Sequence, residues 1–352
     1  MPTTNIPFLS IVIPCYNEEA ILANNVKTIC DFLESRKGKY LWEIILINDG
    51  SKDKTGEIAD ELAIKYSKVR VIHHPVNMNL GLALQTGFKN SRGEIIIVLD
   101  VDLSYSVDNI EKLTDKLIES SADIVLASPY MKGGKVIAVP FFRRVMSKGV
   151  NRFMKMAAQD KYHTFTGMVR AYRTDFIKSV NLKTRDYEVN PEILYKAMIL
   201  RARIVEIPAN LDWTEQNRFA GKRTSSLKAL RGFFSGMMSG FIFRPYIFFM
   251  GIGIVLMGLS MFELIWLLRD TIVDLNRTRV LSDGIENSFS HSLYLQFRKN
   301  PQSFIVGGIT FIAAIQFLSL GFLSLQNKRY FEELFHMGTS LKKQNNKIAN
   351  KE

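Results

Sequence analysis

Gly93-Glu94-Ile95-Ile96-Ile97-Val98-Leu99-Asp100-Val101-Asp102-Leu103-Ser104 reads as an apolar run ending abruptly in two carboxylates one residue apart. A run of this kind is buried on both faces, as the strands of a parallel sheet covered by helices are. In an open α/β sheet, ligands bind beyond the carboxyl ends of the strands, so Asp100 and Asp102 are expected at a cleft. Oxygen donors at that spacing suit a divalent cation such as Mg²⁺, which keeps one or two protein carboxylates and takes its remaining ligands from phosphate and water. Taken alone, the Asp-x-Asp pair fits a strand-end turn with an Asp helix cap equally well.

The preceding chain repeats the pattern. Leu9 to Pro14, Trp42 to Ile47 and Val69 to His73 read as strands, followed by helices near 20–35, 55–66 and 80–90. Asp123 to Ala127 adds a fifth strand after a helix over 107–120. Strands alternating with helices predict a mostly parallel sheet flanked by helices. Polar residues follow each strand at its carboxyl end: Asn17 and Glu18, Asn48 and Asp49, then Asp100 and Asp102. Each has a structural alternative, since Pro14 stops a strand, Tyr16 packs, and Asn17 or Asp49 satisfies turn amides.

The bulk numbers bound the reading. The chain has 352 residues, 47% of them hydrophobic, and a net charge of +12. Its mean hydropathy of +0.03 averages unlike halves, because basic residues crowd the second half beside long apolar runs. That distribution favours an anionic membrane surface over nucleic acid, and no nucleic-acid motif accompanies it. Cys15 and Cys30 have no metal or disulfide spacing, which fits a reducing compartment. Residues 1–7 lack signal-peptide features, so the first domain is expected in the cytoplasm. There is no Walker A or G-x-G-x-x-G motif.

Four segments in this order resemble one family: Ile13-Pro14-Cys15-Tyr16-Asn17-Glu18, Asn48-Asp49-Gly50-Ser51, Asn79-Leu80-Gly81 through Gly87, and Asp100-Val101-Asp102-Leu103-Ser104. Together they are similar to the family 2 glycosyltransferases of GT-A fold, in particular the polyprenyl-phosphate (dolichyl-phosphate) hexose synthases. The resemblance covers residues 8–130 best and fades toward 230. It implies a Rossmann-like, mostly parallel α/β sheet and a nucleotide-sugar donor. Pro14, Tyr16, Asn17, Glu18 and Gly81 would form the nucleotide side, with Asp49 on the base or ribose. Asp100 would shape the donor-sugar side, and Asp102 would hold Mg²⁺ or Mn²⁺ on the diphosphate, with Ser104 as a further ligand. Pro129 stands where the family carries an arginine, which leaves Lys132 or Lys135 as substitutes. The segment 160–167 corresponds to the family's acceptor side. Glu192 sits at a Pro-Glu helix start, where a carboxylate suits either the helix dipole or the site. Arg218 in Arg218-Phe219-Ala220-Gly221-Lys222-Arg223 resembles the arginine that clamps the diphosphate, a role a bidentate guanidinium suits, with Lys222 and Arg223 beside it.

The expected helix from Phe141 to Met154 mixes aromatic and basic residues and suits a lipid headgroup surface. Arg143, Arg144, Lys148 and Arg152 are its candidates for the acceptor phosphate. Residues 1–228 are expected to form the cytoplasmic catalytic domain and 229–244 an interfacial helix. Two spans, 246–268 and 304–325, would form a membrane hairpin within 245–326, each long enough for the roughly 30 Å bilayer core. A basic tail over 327–352 would lie in the cytoplasm with the amino terminus, because Arg244 and the tail flank the outer ends of the hairpin. Gly232, Gly236 and Gly240 share a helix face that allows helix-mediated homo-oligomers.

The expected activity is inverting transfer of a hexose from GDP-mannose, UDP-glucose or a similar donor to a polyprenyl or dolichyl phosphate. Other membrane acceptors, and a non-catalytic nucleotide-sugar-binding scaffold, are the alternatives. A processive synthase would need Q-x-x-R-W, and Gln216-Asn217-Arg218-Phe219 has neither the spacing nor the tryptophan.

Overall fold

A computed structural model describes residues 6–158, 162–214, 244–279 and 288–349. The expected alternation is present as β1 (Phe8–Cys15), α1 (Leu22–Ser35), β2 (Leu41–Asn48), α2 (Thr55–Lys65), β3 (Val69–His73), α3 (Leu80–Asn90), β4 (Ile95–Val98), α4 (Asn109–Glu119) and β5 (Ile124–Ser128). Then come β6 (Lys135–Ile137), α5 (Phe141–Ala158), β7 (Arg170–Arg173), α6 (Thr174–Ser179), α7 (Val189–Ile199), β8 (Ile204–Pro208) and β9 (Asn210–Asp212).

The main sheet has seven strands in the order β3-β2-β1-β4-β7-β5-β8. β1 pairs in parallel with β2 and β4, with Pro14 opposite Ile47 and Val12 opposite Val98. β7 runs antiparallel between β4 and β5. Its four residues Arg-Ala-Tyr-Arg give no apolar run, so composition does not reveal it. Every residue of β4 and β5 is buried. One face packs Ile11, Ile13, Ile97 and Leu99 against α1 and α4 residues such as Leu33 and Leu113; the other packs Val12, Ile96 and Val98 against Leu84, Phe88 and Ile193. Burial on both faces leaves only the ends of these strands for polar work. A small parallel pair, β6 with β9, stands apart from the main sheet.

Residues 241–331 form a separate compact unit. It contains α8 (Pro245–Arg279), α9 (Ser288–Lys299) and most of α10 (Pro301–Ala349). Pro245–Asn276 and Pro301–Leu341 are long and apolar enough to cross a membrane, with mean hydropathies of 2.1 and 2.0. Within this unit the two long helices meet closely: a Cβ on Gly253 would lie 2.8 Å from the Leu318 side chain, and Ser260 Oγ donates to the Gly307 carbonyl at 3.0 Å. Small residues at a helix crossing permit such approach without a hydrophobic driving force. Two features go beyond the sequence expectation. The connection between the spans contains α9, and the basic tail continues α10 as helix to Ala349.

At the amino ends of the strands, Glu43 on β2 gathers a buried polar group. Its Oε1 accepts from Ser10 Oγ at 2.7 Å and the Arg92 amide at 2.8 Å, while Oε2 accepts from Arg70 Nε and Nη2 at 3.0 and 2.8 Å. Burial pushes this carboxyl up, but the Ser10, Arg92 and Arg70 hydrogen bonds prevail and hold it below its ordinary value. A depressed carboxylate contributes stability that is present at neutral pH and lost as pH falls through the folded value. Glu43→Ala should therefore cost about 2 to 3 kcal/mol at pH 7, with a smaller difference from the parent below about pH 4, as read by thermal unfolding at both pH values.

Candidate active site

The carboxyl ends of β1, β2 and β4 meet at one edge of the sheet. Asn17 adopts a left-handed φ of 56°, which an asparagine tolerates better than most residues. This conformation lets its Oδ1 accept from the Lys52 amide at 2.8 Å, while its own amide donates to Ser51 Oγ at 3.1 Å. The Glu18 amide donates to Thr55 Oγ1 at 2.8 Å, and the Glu18 carbonyl accepts from Ile21 and Leu22 at the start of α1. Pro14 is half-buried and Tyr16 is 40% exposed at the same edge.

Asp49 lies deeper. Its Oδ1 meets His74 Nδ1 at 2.7 Å and accepts from the Met78 amide at 2.9 Å, while His74 Nε2 lies 2.9 Å from Thr86 Oγ1. The Asp49 carboxylate thus ties the chain after β3 to the loop after β2. His74 escapes the sequence reading, although its place just past the carboxyl end of β3 is the signal that would have found it.

The β4 turn is held from both sides. Leu103 takes a φ of 51°, and its amide donates to the Asp100 carbonyl at 3.2 Å. The Ser104 amide donates to Asp102 Oδ1 at 2.8 Å, and the Ser104 carbonyl accepts from the Asp212 amide at 2.8 Å. Tyr105 bridges to Leu211 of β9, so the two acids are fixed by a strand more than a hundred residues later. Burial pushes both carboxyls up, and Asp102 and Glu18 push Asp100 further; Ser104 counteracts the shift at Asp102. Carboxylates gathered at the end of a buried strand form an environment that suits a divalent cation. Among the described residues no group of three His, Cys, Asp or Glu could hold a metal ion. The protein would therefore offer Asp100 and Asp102, with the remaining ligands coming from substrate and water.

Gly81 and Glu192 turn out to share one segment. A Cβ on Gly81 would lie 2.5 Å from the Thr184 carbonyl oxygen, and the Gly81 amide donates to the Arg185 carbonyl at 2.9 Å. Glu192 is buried on α7 and accepts from the Lys183 and Thr184 amides, each at 2.9 Å, from Thr184 Oγ1, and from Lys196 Nζ at 2.5 Å. Burial pushes Glu192 up, but Lys196 and Thr184 prevail and hold it below its ordinary value. The strap 183–188 is thereby pinned to α3 and α7.

The cationic candidates divide. Arg144, Lys148 and Arg152, spaced by four on α5, line a cavity of about 670 Å³ together with Lys135, Lys155 and His163. Its apolar wall includes Met131, Val136 and Ile137. Arg143 instead stacks on Trp213, its Cζ 5.0 Å from the ring centroid. Lys132 is exposed on the loop before β6 and is not among the cavity-lining residues. Lys155, three residues after Arg152, adds a further cation beyond the stretch considered in sequence. Arg218, Lys222 and Arg223, like the interfacial segment 229–243, lie outside the described residues.

The chain matches the Glycosyl transferase family 2 model over residues 10–180, which include the acidic edge of the sheet and α5. More particularly, it is 34% identical to a dolichol-phosphate mannosyltransferase of Pyrococcus furiosus over 57% of this chain and 55% of the relative. It is 29% identical to a dolichyl-phosphate beta-glucosyltransferase of Trichomonas vaginalis over 59% of this chain and 66% of the relative. The chain thus spans less than two thirds of the length of these relatives. A solved glucosyl-3-phosphoglycerate synthase from Mycobacterium tuberculosis aligns with 58% of this chain and 70% of its own, at 20% identity and a TM-score of 0.43.

Removing the Glu192 carboxylate leaves Lys196 buried beside a neutral group. Glu192→Gln should lower stability by about 2 to 4 kcal/mol in thermal unfolding and raise amide hydrogen exchange at 183–188 ahead of the sheet.

Proposed function

We propose that this protein is a membrane-bound inverting glycosyltransferase that moves a hexose from a nucleotide sugar to the phosphate of a polyprenyl or dolichyl phosphate. The observation that carries the reading is the pairing, within a family 2 domain, of the Asp100–Asp102 edge with the cationic cavity on α5. One suits a nucleotide diphosphate with its cation, and the other a lipid-borne phosphate. The named relatives act on dolichol phosphate, and two helices of this chain are long and apolar enough for a membrane.

In this reading Asn17, Glu18 and the Asp49–His74 pair shape the nucleotide side, with Pro14, Tyr16 and Gly81 framing it. Asp100 and Asp102 would hold Mg²⁺ or Mn²⁺, with Ser104 orienting Asp102 through its amide. That cation, when bound, supplies charge neutralisation for the departing diphosphate. Arg218, with Lys222 and Arg223 near it in sequence, is the proposed clamp on the same phosphates. Arg144, Lys148 and Arg152 would attract and orient the acceptor phosphate, while Arg143 on Trp213 braces the start of α5. The acceptor oxygen is anionic at neutral pH, so orientation and charge carry the displacement and no strong base is required. Basic residues on α5 and the apolar helices would set the reaction at headgroup height, with the catalytic domain and both termini in the cytoplasm. Homo-oligomers through the 232–240 glycine face belong to the same proposal.

Labelled GDP-mannose and UDP-glucose, offered with a polyprenyl phosphate and Mg²⁺ or Mn²⁺ in detergent, test the reading. Label should enter the lipid phase and be lost with EDTA; binding of nucleotide sugar without transfer from any donor would favour the scaffold. Asp102→Asn should lower transfer at least a hundredfold, and retention of metal-dependent transfer would remove it from the cation site. The double variant Arg144→Ala with Lys148→Ala should raise the KM for lipid phosphate about tenfold and leave the donor KM within twofold.

A further inference from the structure

We infer that His163 is an additional anion-contacting residue of the α5 cavity, held for that purpose by Glu206; this rests on the reading that the cavity receives the acceptor phosphate. Glu206 projects from β8 with only 7% of its side chain exposed. Its Oε2 lies 2.8 Å from His163 Nδ1, and its Oε1 accepts from the His163 and Thr164 amides at 2.8 and 2.9 Å. One buried carboxylate therefore fixes both the backbone and the ring of His163. With Nδ1–H donated to Glu206, Nε2 is the nitrogen left for a cavity occupant.

The surrounding wall is equally fixed. Asn151 is buried on α5, and its Oδ1 accepts from the Phe165 amide at 2.7 Å. Ser128 and Thr164 share a hydrogen bond at 2.7 Å, which joins the segment bearing His163 to β5. Tyr130, which lines the cavity, donates to Ser147 Oγ of α5 at 2.7 Å. The groups facing His163 around the cavity are Tyr130, Lys135, Arg144, Lys148, Arg152 and Lys155, with Glu206 behind the ring. Five of these are cations. A histidine that is backed by a carboxylate and faces a cationic cavity donates its Nε2–H to an anion when it carries a proton, as Arg144 and Lys148 do at any physiological pH. Neutral, it offers a lone pair instead. The imidazolium form would thus add one hydrogen bond to an anion in the cavity.

Sulfate tests this apart from catalysis, since it stays a dianion from pH 5.5 to 8.5. Calorimetric titration of the full-length protein in detergent at pH 5.5 should show His163→Gln binding sulfate at least fivefold more weakly than the parent, with His163→Arg restoring most of the affinity, a rescue that mere packing would not produce. Glu206→Gln, which leaves His163 in place, should weaken sulfate binding in the same direction. Parental sulfate affinity in His163→Gln, with unfolding temperature unchanged, would overturn the inference. If His163→Gln does not fold, parental affinity in Glu206→Gln overturns it instead. Sulfate binding that behaves as expected in a protein that transfers no sugar to polyprenyl phosphate would leave this site standing and sink the proposed activity.

Discussion

Burying β4 on both faces is the constraint on which the rest depends. A strand with no solvated face can display polar groups only where it ends, so Asp100 and Asp102 emerge together at the carboxyl edge. Keeping them there is costly, because burial and mutual repulsion oppose two charges so close. The turn survives through backbone ties: Leu103 to the Asp100 carbonyl, Ser104 to Asp102, and Asp212 to Ser104.

The second half of the domain supplies what the first lacks. The five amino-proximal strands bring acids and amides to one edge, whereas the cations of the cavity come from α5 and β6. β9 connects the two regions by fixing the acidic turn and by leading into Trp213, on which Arg143 rests. The strap 183–188, tied to Gly81 and Glu192, fixes α3 against α7. Several polar residues that look like ligand contacts in one dimension are thus engaged in joining segments, and Glu192 is the clearest case.

The five strands of the parallel part and their helices were legible because each combines a short apolar run with a turn-forming end. Their edges fall within a few residues of the expected positions. β7 was not legible: its side chains include Arg170, which is buried through hydrogen bonds to the Asn190 and Phe165 carbonyls, and such a residue carries no apolar signal. The short β6 and β9 were equally silent, since a three-residue pair depends on what it packs beside.

The sequence by itself determined the class of sheet, the acids at its edge, the basic helix and the two apolar segments, because local periodicity and burial demand act within a few neighbouring residues. Only the tertiary structure decided which of those groups meet. It separated Arg143 from the cavity that Arg144, Lys148 and Arg152 share, drew His74 to Asp49, and set Glu206 behind His163. Pairings across 25 or 43 residues follow from strand order and packing, which no local pattern encodes.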